Sequence, residues 1–143
     1  MPLDKETIRE RLSKLSDVVK LLEEYKKVPR EDFLVDFTIN SAAQFNLILG
    51  IEIIVDIGNH ILSEKYQAHP KEYHEVITLL GEYHVVPLDF AREHSDMARF
   101  RNRIIHQYTE IDMKQVYNHL QKAPDVFSQF AQYYESLLEK EEI

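Results

Sequence analysis

The chain has 143 residues and no cysteine, long enough to bury a sizeable core without staples and offering neither a disulfide framework nor a thiolate zinc site. Its formal net charge of −8 argues against a protein that coats nucleic acid non-specifically, because that affinity comes largely from phosphate neutralisation by lysine and arginine. Three glycines, no low-complexity segment and no solenoid-period repeat point to one compact helical domain spanning residues 1–143.

The N-terminal Met1-Pro2-Leu3-Asp4-Lys5-Glu6 is charged and lacks the apolar region of a secretion signal, so a cytoplasmic location is the expectation. A first helix is predicted from about Lys5 to Tyr25, where Ile8, Leu12, Leu15, Val19 and Leu22 recur at intervals of four and three on one face. Val28-Pro29-Arg30 breaks it. A long second helix follows from about Asp32 to Tyr66, apolar nearly all round in its middle, as suits the centre of a bundle. Its most apolar stretch, Phe45 to Ile57, is shorter than the ~20 residues of a spanning helix and contains Asn46, Glu52 and Asp56, so no membrane partner is expected.

Pro70-Lys71-Glu72 opens a short third helix toward Leu80, stopped by Gly81. A fourth helix runs from about Leu88 to Ile105 or beyond, after Val86-Pro87. A final helix opens near Asp112, an acceptable N-cap, and Pro124 is expected to kink or split it. The fold class is all-α, an antiparallel bundle of four to five helices.

Chemistry is concentrated on the fourth helix, in Met97-Ala98-Arg99-Phe100-Arg101-Asn102-Arg103-Ile104-Ile105-His106-Gln107-Tyr108. Arginine supplies a permanently charged planar fork that fits phosphate oxygens. Histidine has an unperturbed pKa near ~6.5, suited to proton transfer near neutrality. Arg101, Asn102 and His106 are therefore the candidate catalytic residues for phosphoryl-ester chemistry, and Arg99 and Arg103 are candidate contacts to a phosphate-bearing substrate; a solvated basic helix face is the plainer alternative. Continued helical periodicity places Arg101 and Tyr108 on the buried stripe with Met97, Phe100 and Ile104. Arg101 and His106 lie about 140° apart on an ideal helix, so they do not converge unless the helix ends irregularly, the arginine reaches around, or a two-fold axis joins two motifs. An arginine on an apolar stripe needs an anionic partner, and Glu52 or Asp56 on the second helix can supply it.

The remaining histidines, His60, His69, His74, His84, His94 and His119, include no Glu-x-x-His or His-Glu-x-x-His spacing. No metal or other cofactor is expected. No glycine-rich phosphate loop or nucleophile elbow is present either, which argues against a kinase, a P-loop enzyme or a serine hydrolase.

The run Arg101-Asn102-x-x-x-His106-x-Tyr108 resembles the Arg-x4-His-x-Tyr signature of the HepT-like toxins, a branch of the HEPN ribonuclease superfamily. The stretches from Ala43 to Leu62 and from Ile111 to Tyr117 are similar to that family in spacing and character, and the likeness extends over nearly the whole chain. The resemblance implies a HEPN-like helical homodimer acting as a metal-independent RNA endonuclease, the toxin of a toxin-antitoxin pair whose partner is a nucleotidyltransferase antitoxin. It implies further that Tyr108 is the acceptor of an adenylyl group that silences the toxin. The alternative is a non-catalytic helical dimer that binds, and is modified by, such a nucleotidyltransferase.

Overall fold

In the computed structural model residues 3–141 are described, so Met1 and Pro2 of the charged N-terminal segment lie outside the described residues. Helix α1 spans Lys5–Lys26. The Asp4 carboxylate caps it, accepting from the Thr7 backbone N–H at 3.1 Å and from the Thr7 hydroxyl at 2.7 Å, a contribution of about 1 kcal/mol. Ile8, Leu12, Leu15, Val18 and Leu22 form its buried stripe.

The expected second helix is two elements, α2 (Arg30–Val35) and α3 (Phe37–Tyr66). Asp36 separates them: its backbone is extended, and its carboxylate accepts from the Ile39 N–H to cap α3. Buried Asn40 then donates to the Phe33 carbonyl at 3.2 Å, tying the short helix to the long one. Local capping overrode a continuous apolar pattern here.

Helix α3 runs through the middle of the bundle and contacts α1, α2, α7 (Met113–Glu141), α4 (Tyr73–Glu82) and α6 (Asp96–His106). It is long and apolar enough to cross a membrane by length and composition alone; its Ile51, Ile54, Ile57, Ile61 and Leu62 are instead fully covered by those neighbours. Gly58 gives room for the Tyr134 phenol, which crosses from α7 and donates to the Ile54 carbonyl at 2.8 Å.

Gly81 does not stop α4. It is buried within the helix, where an added Cβ would lie 2.5 Å from the Ala91 Cβ, so the glycine serves the close approach of α5 (Leu88–His94). The expected fourth helix is likewise divided, into α5 and α6, by a loosened turn at Ser95 whose hydroxyl donates to the Arg92 carbonyl at 3.4 Å. A 3-10 turn at Tyr108–Glu110 leads into α7.

Helix α7 continues through Pro124 without splitting. A proline in a helix interior costs about 3 kcal/mol, and this cost is offset by one continuous buried face of Val116, Leu120, Ala123, Phe127, Phe130, Tyr134 and Leu138. The described residues form helices and connecting turns with no strand, so the all-α bundle is present with two of its five expected helices each divided.

Candidate functional site

Helix α6 carries the motif, with buried Ala98, Phe100 and Ile104 anchoring one side of it. Between those anchors Arg101 turns toward α3 and α4. Its Nη2 donates to Glu52 Oε1 in a short ion pair, with side-chain exposures of 18% and 27%. Of the two carboxylates expected to hold it, Glu52 does so. Asp56, one turn further along α3, is exposed and does not pair with Arg101; desolvation by the neighbouring residues and the nearby Glu52 charge raise its carboxyl above the usual range.

Asn102 also has a definite task. Its Oδ1 accepts from Arg101 Nη1 at 3.0 Å, so the amide orients the guanidinium and is not a free surface group. The Nε of Arg101 is inaccessible and unpaired among the described residues. Sequence reasoning missed a further member of this cluster. Tyr73, at the start of α4, places its hydroxyl 2.8 and 2.9 Å from the two oxygens of Glu52, and the Arg101 guanidinium lies 4.5 Å from the centre of its ring. Burial and then Glu52 push this phenol up from its ordinary value, which keeps it protonated as a donor.

His106 is the last residue of α6 and is exposed. Within one chain it is not brought to Arg101, whose side-chain partners are Glu52, Asn102 and Tyr73. Tyr108 does not join the buried stripe. The helix ends at Gln107, whose backbone leaves the helical region at φ −127° and ψ 39°, and Tyr108 projects from the 3-10 turn with 74% of its surface exposed. The helical arithmetic that placed it inside ran past the end of the helix.

Of the two candidate RNA contacts, Arg99 is exposed and pairs with Asp96 at 2.8 Å. Arg103 is exposed with its guanidinium 5.5 Å from the Phe100 ring centre. On another face of α6, His119 stacks on Phe100 at 3.7 Å beside a recess. Burial, with Arg103 and Lys122 nearby, pushes its imidazole down to about 4.

Beside Tyr108 lies a groove of about 590 Å³ lined by Val35, Phe37, Phe45, Ile48, Ile104 and Met113 among others. Val35, Phe37 and Phe45 are 83%, 80% and 62% exposed. Along α3, Ser41, Phe45, Ile48 and Glu52 recur at intervals of four, three and four, so this bare apolar strip continues the face that carries Glu52. The chemical cluster and the apolar strip are neighbours on one side of the molecule.

A sequence profile described as Ribonuclease HepT-like matches residues 8–134, including every residue of the cluster. The chain belongs to the HepT-like family. It is 26% identical over 110 residues to a tRNA nuclease HepT of Aphanizomenon flos-aquae, covering 77% of this chain and 75% of that one. It is 24% identical over 121 residues to an mRNA nuclease HepT of Shewanella oneidensis, covering 83% and 91%.

The HepT-like fold recurs in a solved complex of a tri-AMPylated Shewanella oneidensis HEPN toxin with MNT antitoxin, with a TM-score of 0.82 at 22% identity over 90% of this chain and 96% of that one. The cytosolic protein YutE of Bacillus subtilis shares the fold at a TM-score of 0.82 and 23% identity, over 97% and 93%.

Proposed function

We propose that this HepT-like chain is a metal-independent endoribonuclease, the toxin of a toxin-antitoxin pair, acting as a homodimer in the cytoplasm. The observation that carries the reading is Arg101, a charged fork held by Glu52 and Asn102, standing about one and a half turns before the exposed imidazole that ends the same helix. The relatives named as tRNA and mRNA nucleases support RNA as the substrate class.

In this reading the RNA 2′-hydroxyl attacks the adjacent phosphorus and the bond to the 5′-oxygen breaks, leaving a 2′,3′-cyclic phosphate. His106 takes the hydroxyl proton or returns one to the leaving oxygen. Arg101 stabilises the charge that builds on the non-bridging oxygens. The strip of Val35, Phe37 and Phe45 supports a two-fold partner. Its two aromatic side chains, roughly 150–250 Å² each when whole, are mostly exposed, and a connected apolar patch of about 300–600 Å² on a soluble protein is often functional. A second copy seated there would bring its own His106 toward the shared cleft, supplying the convergence that a single helix lacks.

The regulatory part of the proposal rests on Tyr108, which is exposed on a short turn where a nucleotidyltransferase can reach it. Transfer of AMP from ATP to the phenol oxygen releases pyrophosphate and places a phosphodiester close to the motif. The AMP-modified state of a structural relative supports this regulation. The test is cleavage of a tRNA and mRNA pool in EDTA by wild type, Arg101→Lys and His106→Ala. Cleavage by wild type alone, leaving cyclic-phosphate ends, is expected; full activity in His106→Ala overturns the assignment.

The second reading, a non-catalytic dimer that serves a nucleotidyltransferase as protein substrate, draws support from the internal neutralisation of Arg101 by Glu52. It predicts AMP addition to wild type, none to Tyr108→Phe, and no RNA cleavage by the unmodified protein.

A further inference from the structure

Tyr73 belongs to no part of the motif and lies 28 residues before Arg101, yet its side chain touches both members of the ion pair. A phenol has one proton, so the 2.8 and 2.9 Å distances to the Glu52 oxygens describe one shared hydrogen bond that fixes the carboxylate against rotation. The guanidinium meanwhile lies against the face of the same ring, 4.5 Å from its centre, an attraction between a cation and the ring's electron-rich face. The hydroxyl also lies 3.5 Å from Arg101 Nη2. One side chain therefore restrains the anion and the cation together.

The donor inventory of Arg101 gives this restraint its meaning. One Nη2 N–H is committed to Glu52 while Nη2 also faces the Tyr73 hydroxyl at 3.5 Å, one Nη1 N–H is committed to Asn102, and Nε is sealed from solvent. A phosphate oxygen must approach the edge that remains, and the direction of that edge is set by the plane of the guanidinium. Glu52 and Asn102 fix two points of the plane. Tyr73 supplies the surface on which it rests.

We propose that Tyr73 is a positioning residue for the Arg101 fork, holding the Glu52 carboxylate with its hydroxyl and the guanidinium plane with its ring. The inference rests on the ribonuclease reading for its catalytic consequence, but the geometry itself can be measured without RNA. The three side chains come from α3, α4 and α6, so the arrangement also couples the placement of α4 to the motif. Misplacement of a charged group by about 1 Å costs on the order of 100-fold in rate.

The test has two arms, on Tyr73→Phe and Tyr73→Leu, each first checked for helical content and unfolding temperature. In the first arm, ¹⁵N spectra resolve the arginine side chains, with Arg101 assigned by its loss in Arg101→Lys. Restrained rotation gives separate Nη signals for Arg101 in wild type, retained in part in Tyr73→Phe and merged in Tyr73→Leu. Identical Arg101 signals in wild type and a folded Tyr73→Leu overturn the proposal; should Tyr73→Leu fail to fold, unchanged signals in Tyr73→Phe do so.

In the second arm, kcat for RNA falls about tenfold in Tyr73→Phe and on the order of 100-fold in Tyr73→Leu, with KM moved less than about threefold. In a Glu52→Gln background Tyr73→Phe costs little more, because the hydroxyl has lost the charge it served. Full additivity there refutes the coupling. If wild-type protein does not cut RNA, the ribonuclease reading fails and the spectra alone judge Tyr73.

Discussion

Replacing Arg101 by alanine tests whether the cluster around it exists in solution. The substitution removes an ion pair to Glu52, a hydrogen bond to Asn102 and the stack on Tyr73, and it leaves a half-buried carboxylate with the Tyr73 hydroxyl as its hydrogen-bond donor. A hydrogen bond to a charged group contributes about 1.5–3 kcal/mol and a partly desolvated cation-ring contact about 0.5–2 kcal/mol. The pair keeps 18% and 27% of its side-chain surface in water, so screening lowers the sum to about 2–4 kcal/mol. For a chain of this size that is a fall of roughly 6–12 °C in Tm. His106→Ala, which removes an exposed side chain from a helix end, moves Tm by less than about 2 °C. Thermal unfolding followed at 222 nm, with urea titration in parallel, measures both. If Arg101→Ala matches wild type within about 1 kcal/mol, the pairing with Glu52 is not formed and Tyr73 has no ion pair to position. The contrast also governs how activity is read: loss in His106→Ala reports chemistry, whereas loss in Arg101→Ala must be judged on the folded fraction.

Gly50→Ala places a Cβ 2.2 Å from Cε2 of buried Phe127. The expected cost of overpacking, about 1–3 kcal/mol, exceeds the helix-propensity gain of at most about 1 kcal/mol; Phe127→Leu in the same chain should recover part of it, and equal stability of Gly50→Ala and wild type refutes the contact. The His119 imidazole, depressed to about 4, should titrate near there by NMR. Since the unfolded chain takes up its proton near pH ~6.5, this residue lowers stability progressively from that pH down to about 4 and no further, by about 1–2 kcal/mol after discounting for partial exposure. A His119→Phe variant should lose that part of the pH dependence, and a His119 titration near ~6.5 sinks the argument. Phe37→Ser with Phe45→Ser should convert the proposed dimer to a monomer in sedimentation velocity without loss of helix; an unchanged dimer moves the interface elsewhere.

The long helices were readable because burial repeats with the helical period. Ile8, Leu12, Leu15 and Leu22 were assigned to the core of α1 and lie there, while Val18 rather than Val19 completes the stripe. The breaks were less visible. Asp36 and Ser95 interrupt helices through hydrogen bonds between side chain and backbone that an apolar count does not register. Pro124 misled in the opposite sense, since its local cost is outweighed by packing along the whole of α7. At the site, the need of Arg101 for an anion was legible and two candidates were named. Choosing Glu52 required the rotation of α6 against α3. Tyr73 gave no signal, because neither its spacing to Glu52 nor its spacing to Arg101 is a helical one.

The departure of Tyr108 from α6 bears on how freely this chain can acquire or lose control by a partner. The three-residue turn that carries it contains no buried residue, and its side chain contributes little to the core. Substitution there is expected to leave the bundle intact, as is attachment of a large polar group. Under the proposed regulation, sensitivity to a modifying enzyme is therefore a detachable trait, open to mutation in the connecting turn and insulated from the demands of folding. Arg101 has no such freedom, being fastened to two other helices through Glu52 and Tyr73. Related chains can diverge in who restrains them while keeping the same interior.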